Sequence, residues 1–383
     1  MLNFTFTPAQ EEFRERLREF ALRELLPHYQ TFDAERRYPR EQIKRVIRFA
    51  ADYWSGREDE WDLVAVGITA EEVARGDFNC VLPGLGEPYH SQFLDQLSAA
   101  QRERWLPGLT SGEQTVGLAI TEPAAGSDMG RLQARAERRG ERWLINGVKD
   151  SVSYLNADVF YVFVRTDPQA SGWQGLSSFL IPRDTPGLSF EEIEDLGNRA
   201  IPRGVLRMQD VEVGDEDLVG ELGTAFIRIS QFFDVNRAVI GLKCVGAALQ
   251  SLDETLDRVT TRIAFGGPLY GHQGVSFPLA EGATLLDLAR WQCYRVLWMR
   301  QHGIPCQREG AMAKWYAPKV AAEVIQQCLL FHGHKGYSLE LPIQQRLRDV
   351  IGWRIGDGSE EVMKLIIARD LVAERQSRAT RAG

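Results

Sequence analysis

Apolar residues near the start of the chain recur at helical spacing. Thr7 is placed to cap a helix, Pro8 suits its first position and Gln10 completes a capping box; Phe13, Leu17, Phe20, Ala21 and Leu25 then form one stripe. Similar patterns over Glu41–Ala51, Leu63–Arg75 and Ser98–Leu106 predict a helical domain over residues 1–113. The period changes near Gln114. Short apolar runs at Arg142–Ile145, Val159–Arg165, Ser177–Ile181 and Val205–Val213, punctuated by Asn146-Gly147, Asp167-Pro168 and Thr185-Pro186-Gly187, predict a small antiparallel barrel or sandwich over 114–221. Asn146-Gly147, lying between apolar runs, reads as a hairpin turn. Over 222–383 helical stripes return at Ala225–Thr261, Gly274–Gln301, Arg308–Leu330 and Ser359–Ala373, with lengths that suit a four-helix bundle. Pro278 and Pro318 are expected to kink or open two of these helices. The expected fold class is α+β: an N-terminal helical domain, a middle antiparallel β-barrel and a C-terminal four-helix bundle.

The 383 residues are 44% hydrophobic and 26% charged, a globular composition. Forty-five basic against 53 acidic side chains give a net charge of -8, which repels a phosphate backbone and argues against nucleic acid as a partner. The N-terminus turns charged early, and no uncharged run reaches the roughly 18 residues that would suggest a membrane span, so no membrane partner is expected. Five scattered cysteines without a C-x-x-C pair read as reduced, buried thiols of a cytoplasmic protein.

The dinucleotide fingerprint, the P-loop, the zincin motif and the nucleophile elbow are all missing, which removes support for those chemistries. His332 and His334, two apart in a Gly-rich loop, read as structural and not as metal ligands. What remains is a set of loops. Ala119-Ile120-Thr121-Glu122-Pro123-Ala124-Ala125-Gly126-Ser127-Asp128 is small and hydroxyl-bearing, suited to bringing N–H groups and hydroxyls against a flavin or phosphate, or to an ordinary turn. Arg262-Ile263-Ala264-Phe265-Gly266 ends a long helix, Phe331-His332-Gly333-His334-Lys335-Gly336-Tyr337 forms a second loop, and Ile355-Gly356-Asp357-Gly358-Ser359-Glu360-Glu361 leads into the last helix.

Together these segments resemble the acyl-CoA dehydrogenase flavoproteins over nearly the whole chain. The resemblance implies FAD between the β domain and the helical bundle of a homotetramer or dimer, and an acyl-CoA or other acyl thioester as substrate. It places Thr121, Ser127 and Ser153 near the flavin and pyrophosphate, with Ser359 also on the cofactor side. Arg262, Phe265 and Gly333 fall at positions that reach the adenine half of a neighbouring subunit's FAD. Asp357 falls where most members carry the catalytic glutamate, with Gly356 beside it toward the substrate. Oxidation at the α,β bond needs a carboxylate to take the α-proton, donors for the thioester carbonyl and a hydride acceptor on the opposite face, which in this family is flavin N5.

Several positions depart from the family pattern. Asp357 is one methylene shorter than glutamate, withdrawing the carboxylate by about 1.5 Å. This variant resembles members acting on alicyclic thioesters such as cyclohexanecarboxyl-CoA or cyclohexenecarboxyl-CoA; the bland reading of Asp357 is a neighbour of a helix cap. Asn236 stands where some relatives carry the base, and an amide cannot accept the proton. Arg237 reads either as a contact to the thioester end or as the partner of Asp234 in a buried pair. Ser151 replaces an aromatic near the exit toward the electron-transferring flavoprotein, which puts normal coupling to that partner in question. Leu330 and His334 also depart from the adenine loop, and the segment Asp52–Trp61 lacks the expected turn. Glu87 is then either a second acid near the acyl end or a solvated loop charge. Alternatives on the same scaffold are a carrier-protein dehydrogenase, a flavin reductase or monooxygenase, and a silent acyl-binding member.

Overall fold

In the computed structural model, which describes residues 5–54, 62–81 and 97–382, the first helix begins as its sequence dictates. The Thr7 hydroxyl accepts from Gln10 N and the Gln10 side chain accepts from Thr7 N, capping α1 (Pro8–Phe20). Beyond it one wide turn, Ala21–Leu25, leads into α2 (Leu26–Glu35), followed by α3 (Arg40–Trp54), α4 (Leu63–Gly76) and α5 (Ala99–Ser111). Glu87 and most of the Asp52–Trp61 segment lie outside the described residues.

The middle region is one curled seven-stranded sheet. Its strands are β1 (Val116–Ala119), β2 (Arg135–Arg139), β3 (Arg142–Ser153), β4 (Val159–Arg165), β5 (Leu176–Pro182), β6 (Leu188–Glu192) and β7 (Arg203–Val213), in the order β1-β4-β2-β3-β7-β6 with β5 also on β4. Most pairs are antiparallel. However, β1 runs parallel to β4, and β2 touches β4 in parallel at Arg135 and Arg165, because the chain leaves β1 and completes the β2–β3 hairpin before returning. Asn146-Gly147 is not a hairpin turn. It lies inside β3 at a register shift against β7, and Gly147 has φ 148°. A Cβ there would fall 2.5 Å from that of Ala134, so close strand approach and not chain reversal selects the glycine. The reversal occurs instead around Gly140, between β2 and β3.

The C-terminal helices are α6 (Ala225–Thr261), α7 (Gln273–Gln301), α8 (Gln307–Phe331), α9 (Ile343–Gly352) and α10 (Glu360–Ala382). Helix α6 is buried almost all round from Val235 to Ala248 and shares one hydrophobic core with α1, α4, α7 and α8. The apolar pattern left α9 unassigned because its buried face carries charge: Arg346 is fully buried and pairs with Glu254 at 2.7 Å, and Asp349 is fully buried too. Pro278 and Pro318 both lie within their helices, each of which continues past its proline as one element.

Asp349 knits the molecule together. It accepts from the Tyr29 hydroxyl of α2 at 2.6 Å, from Asn79 at 3.3 Å and from the backbone N–H of Asn198, in the connection between β6 and β7. Arg348 beside it reaches Asp33 at 2.7 Å. Asp77, which follows α4, is buried near this group, and loss of hydration pushes its carboxyl up to about 7. An unfolded chain releases that proton near 3.9. Between about pH 4 and 7 the folded state therefore holds more protons, and this group's contribution to stability is lost as pH rises through that window. Asp77→Asn should flatten the dependence of the thermal midpoint on pH between 5 and 7.5 relative to the wild type; an unchanged slope would show that Asp77 is ionised in the folded protein throughout.

Candidate active site

The loop between α9 and α10 is built around a buried lysine. Lys314 of α8 donates to the carbonyls of Trp353 at 2.7 Å and Gly358 at 3.0 Å, and burial pulls its ammonium down to about 8. Between these two anchors Asp357 adopts a left-handed conformation, φ 55°, followed by Gly358 at φ 102°. The positive φ turns the Asp357 carboxylate toward α6, where the Asn236 amide donates to its Oδ2 at 2.8 Å. Removal from water raises the Asp357 carboxyl above the usual range, against the opposing pulls of Lys314, the Asn236 hydrogen bond, Lys243 and Arg237. A non-glycine residue held in this conformation is strained, and strain of this kind collects at functional sites.

Asn236 thus stands directly on Asp357. Sequence reasoning had excluded it as a base without foreseeing this bond; an amide at a buried position of α6 was the available signal. Arg237 is paired with Asp234 at 3.1 Å, and its Nε finds no partner among the described residues. The Gly356 N–H is taken by the Gly352 carbonyl at 2.9 Å, and Ser359 Oγ accepts from Val362 N at 3.4 Å, at the start of α10. Tyr154, φ 57°, lies within electrostatic reach of Asp357, and Tyr38 packs edge-on to it at 6.2 Å. None of Lys314, Tyr154, Tyr38 and Trp353 was singled out in the sequence, although a lysine on the apolar face of a helix is a usable sign.

Across the sheet, a buried ion pair shapes the hydroxyl-bearing loop. Lys149 donates to Glu122 at 2.8 Å and to the Ile120 carbonyl at 2.9 Å, while Glu122 also accepts from Gln133 N and Ala134 N. With its acid buried, the loop turns outward: Ser127 is exposed, and a Cβ on Gly126 would meet only the Thr121 methyl at 3.7 Å. The Thr121 carbonyl accepts from Asp150 N at 2.8 Å, which sets this loop beside the end of β3 and hence beside Ser153. Nearby, Ser151 has φ 59° and accepts from Arg203, which also pairs with Asp195.

A third group lies at the other end of α6. Arg262 caps that helix, and Phe265, φ 49° and 97% exposed, sits on a short hairpin after it. Gly333, φ 61°, ends α8 beside it, tied by Arg258 donating to the Phe331 carbonyl and by the 3.2 Å contact of His332 with Thr255. The structure therefore brings Arg262, Phe265 and Gly333 together but separates them from Asp357: the 26 residues of helix from Asn236 to Arg262 span about 39 Å.

Sequence profiles of the N-terminal, middle and C-terminal domains of acyl-CoA dehydrogenases match residues 7–113, 117–211 and 226–372. The mitochondrial short-chain specific acyl-CoA dehydrogenase of Rattus norvegicus is 32% identical over 95% of this chain and 90% of its own. The butyryl-CoA dehydrogenase of Megasphaera elsdenii superposes with a TM-score of 0.90 at 26% identity, over 97% of this chain and 100% of its own. A prolyl acyl carrier protein oxidase superposes with a TM-score of 0.89 at 26% identity, over 96% and 100% of the two chains. The outward-turned loop at Thr121 and Ser127, its backbone uncovered at Gly126, fits a flavin nucleotide, and the chain belongs to the acyl-CoA dehydrogenase family, FAD-dependent oxidoreductases acting on CH–CH bonds.

Proposed function

We propose that this enzyme oxidises an alicyclic or otherwise bulky acyl thioester, with Asp357 as the base for the α-proton. The supporting observation is the bond from Asn236 to Asp357 Oδ2. It holds one carboxylate oxygen still and leaves Oδ1 without a partner among the described residues, while burial raises the affinity of the group for a proton. The Asp357 N–H likewise has no backbone partner among the described residues and is available to the thioester carbonyl, where negative charge develops as the α-proton leaves. Arg237, paired with Asp234, acts on Asp357 through its charge and keeps these surroundings polar. Thr121, Ser127 and Ser153 would hold the flavin and pyrophosphate of FAD, with Ser359 nearby. When bound, FAD supplies the acceptor for the β-hydride.

A short, strained carboxylate bonded to a helix does not extend toward substrate, so the α-carbon must come to it, as a ring-shaped acyl group can present it. The likeness to a prolyl acyl carrier protein oxidase supports a second reading of the thiol that carries the acyl group, a carrier protein in place of CoA. Exposed Ser151, held by Arg203, gives no aromatic cover at its edge of the sheet, which supports altered coupling to an electron-transferring flavoprotein. Because Arg262, Phe265 and Gly333 lie about 39 Å of helix away from the Asn236–Asp357 pair, they would complete the FAD site of a second copy of the chain, in a dimer or tetramer.

Asp357→Asn preserves size and can keep the Asn236 contact, so FAD content should survive while the rate of flavin bleaching by an alicyclic acyl-CoA falls about 10²–10⁴-fold. Bleaching at the wild-type rate would show that Asp357 is not the base. Asp357→Glu should shift the ratio of kcat/KM toward butyryl- or octanoyl-CoA and away from cyclohexanecarbonyl-CoA; a fixed ratio would remove carboxylate reach as the determinant. On dilution to monomers, followed by sedimentation and flavin absorbance, FAD should dissociate together with the subunits. A monomer retaining stoichiometric FAD contradicts a shared site.

A further inference from the structure

Two turns along α6 from Asn236, on the same face, lies another buried lysine, which has no hydrogen bond to Asp357. Lys243 is 3% exposed, and its ammonium sits 4.2 Å from the centre of the Phe78 ring and 4.6 Å from that of Trp353, the residue that opens the Asp357 loop. Its one hydrogen bond among the described residues goes to the Val81 carbonyl at 3.1 Å. An ammonium carries three donors, so most of its capacity is unused there. The turn that holds Phe78 and Val81 also carries a buried acceptor without a partner among the described residues, Asn79 Oδ1, beside the Asp77 carboxyl, which takes the Asn79 N–H and the Cys80 thiol. The Tyr38 hydroxyl, whose ring packs on Tyr154 at 6.2 Å, is a further unpartnered group. Buried polar atoms left unpaired each cost about 1–3 kcal/mol, so several in one place call for a partner.

We propose that Lys243, Tyr38 and the turn Asp77–Val81 receive a hydroxyl on the far side of the acyl ring, making the substrate a hydroxylated alicyclic thioester. This rests on the reading of Asp357 as base for an acyl thioester. The chemistry selects among substituents. A carboxylate would bring its charge beside Asp77 and Asp349, and an ammonium would face Lys243. A methyl group would leave every polar atom unpaired. Of these groups only a hydroxyl accepts from Lys243 and donates to Asn79 Oδ1 while adding no charge. The dimensions agree: Asn236 and Lys243 are seven residues apart on α6, about 10 Å along the helix. A ring carbon and an oxygen across the ring are about 4–5 Å apart, with an approach of about 3 Å at each end.

The test is calorimetric titration of FAD-loaded Asp357→Asn enzyme with 4-hydroxycyclohexanecarbonyl-CoA, both isomers, and with cyclohexanecarbonyl-CoA, which reads binding without turnover. One isomer should bind at least about tenfold more tightly than the unsubstituted ring, as expected where a site is built to hydrogen-bond a hydroxyl. Adding Lys243→Met or Tyr38→Phe should collapse that ratio toward one. Equal affinities, or tighter binding of the unsubstituted ring, overturn the proposal, and the comparison of the two rings on the protein with Lys243 intact decides even if the Lys243 variant fails to fold. The parent reading fails separately: preference for the hydroxylated ring in binding, with no bleaching of the wild-type flavin by either ring, upholds the receptor and removes the dehydrogenation of ring thioesters.

Discussion

Two hydrogen bonds from one lysine set the position of everything that matters chemically. Lys314 spans from the Trp353 carbonyl to the Gly358 carbonyl, and the residues between them have nowhere to go but into a tight, left-handed turn. That turn places Asp357 on Asn236 and stacks Trp353 on Lys243. Burying an ammonium is costly unless its donors are satisfied, and two backbone carbonyls satisfy it without introducing a second full charge. The affinity of Asp357 for a proton is then a balance between dehydration, which raises it, and Lys314, the Asn236 hydrogen bond, Lys243 and Arg237, which lower it.

The same economy operates where the helical and β regions meet. Asp349 is satisfied by a tyrosine hydroxyl, a side-chain amide and a backbone N–H from different segments. Removing any one donor would leave a buried carboxylate short of partners, which makes the junction specific in geometry as well as cohesive. Glu122 with Lys149 performs the equivalent task in the sheet, turning a loop of small residues outward to where a nucleotide can lie. In each case a buried charge positions backbone, and the backbone presents the functional group.

Helix α6 ties these features into one device. Its first half carries Asn236, Arg237 and Lys243 on buried faces beside the Asp357 loop, and its far end presents Arg262 and Phe265 to solvent. A helix this long keeps its Asn236 and Arg262 positions about 39 Å apart.

Much of this was written in local sequence. The capping box at Thr7, the run Val159–Arg165 and the helix Ala225–Thr261 were legible because period and punctuation act between near neighbours. The order of motifs from Thr121 to Asp357 also carried the family. Local rules failed where a distant partner decided. Asn146-Gly147 has the composition of a turn, yet the approach of Ala134 made it a bulge within a strand. Helix α9 was invisible because Arg346 and Asp349 look like surface charges until Glu254 and Tyr29 arrive from elsewhere in the chain. The contact of Asn236 with Asp357 spans 121 residues. Sequence alone determined which side chains were present and which elements carried them; only tertiary packing decided which were dehydrated together, and dehydration is what raises a carboxylate's affinity for a proton.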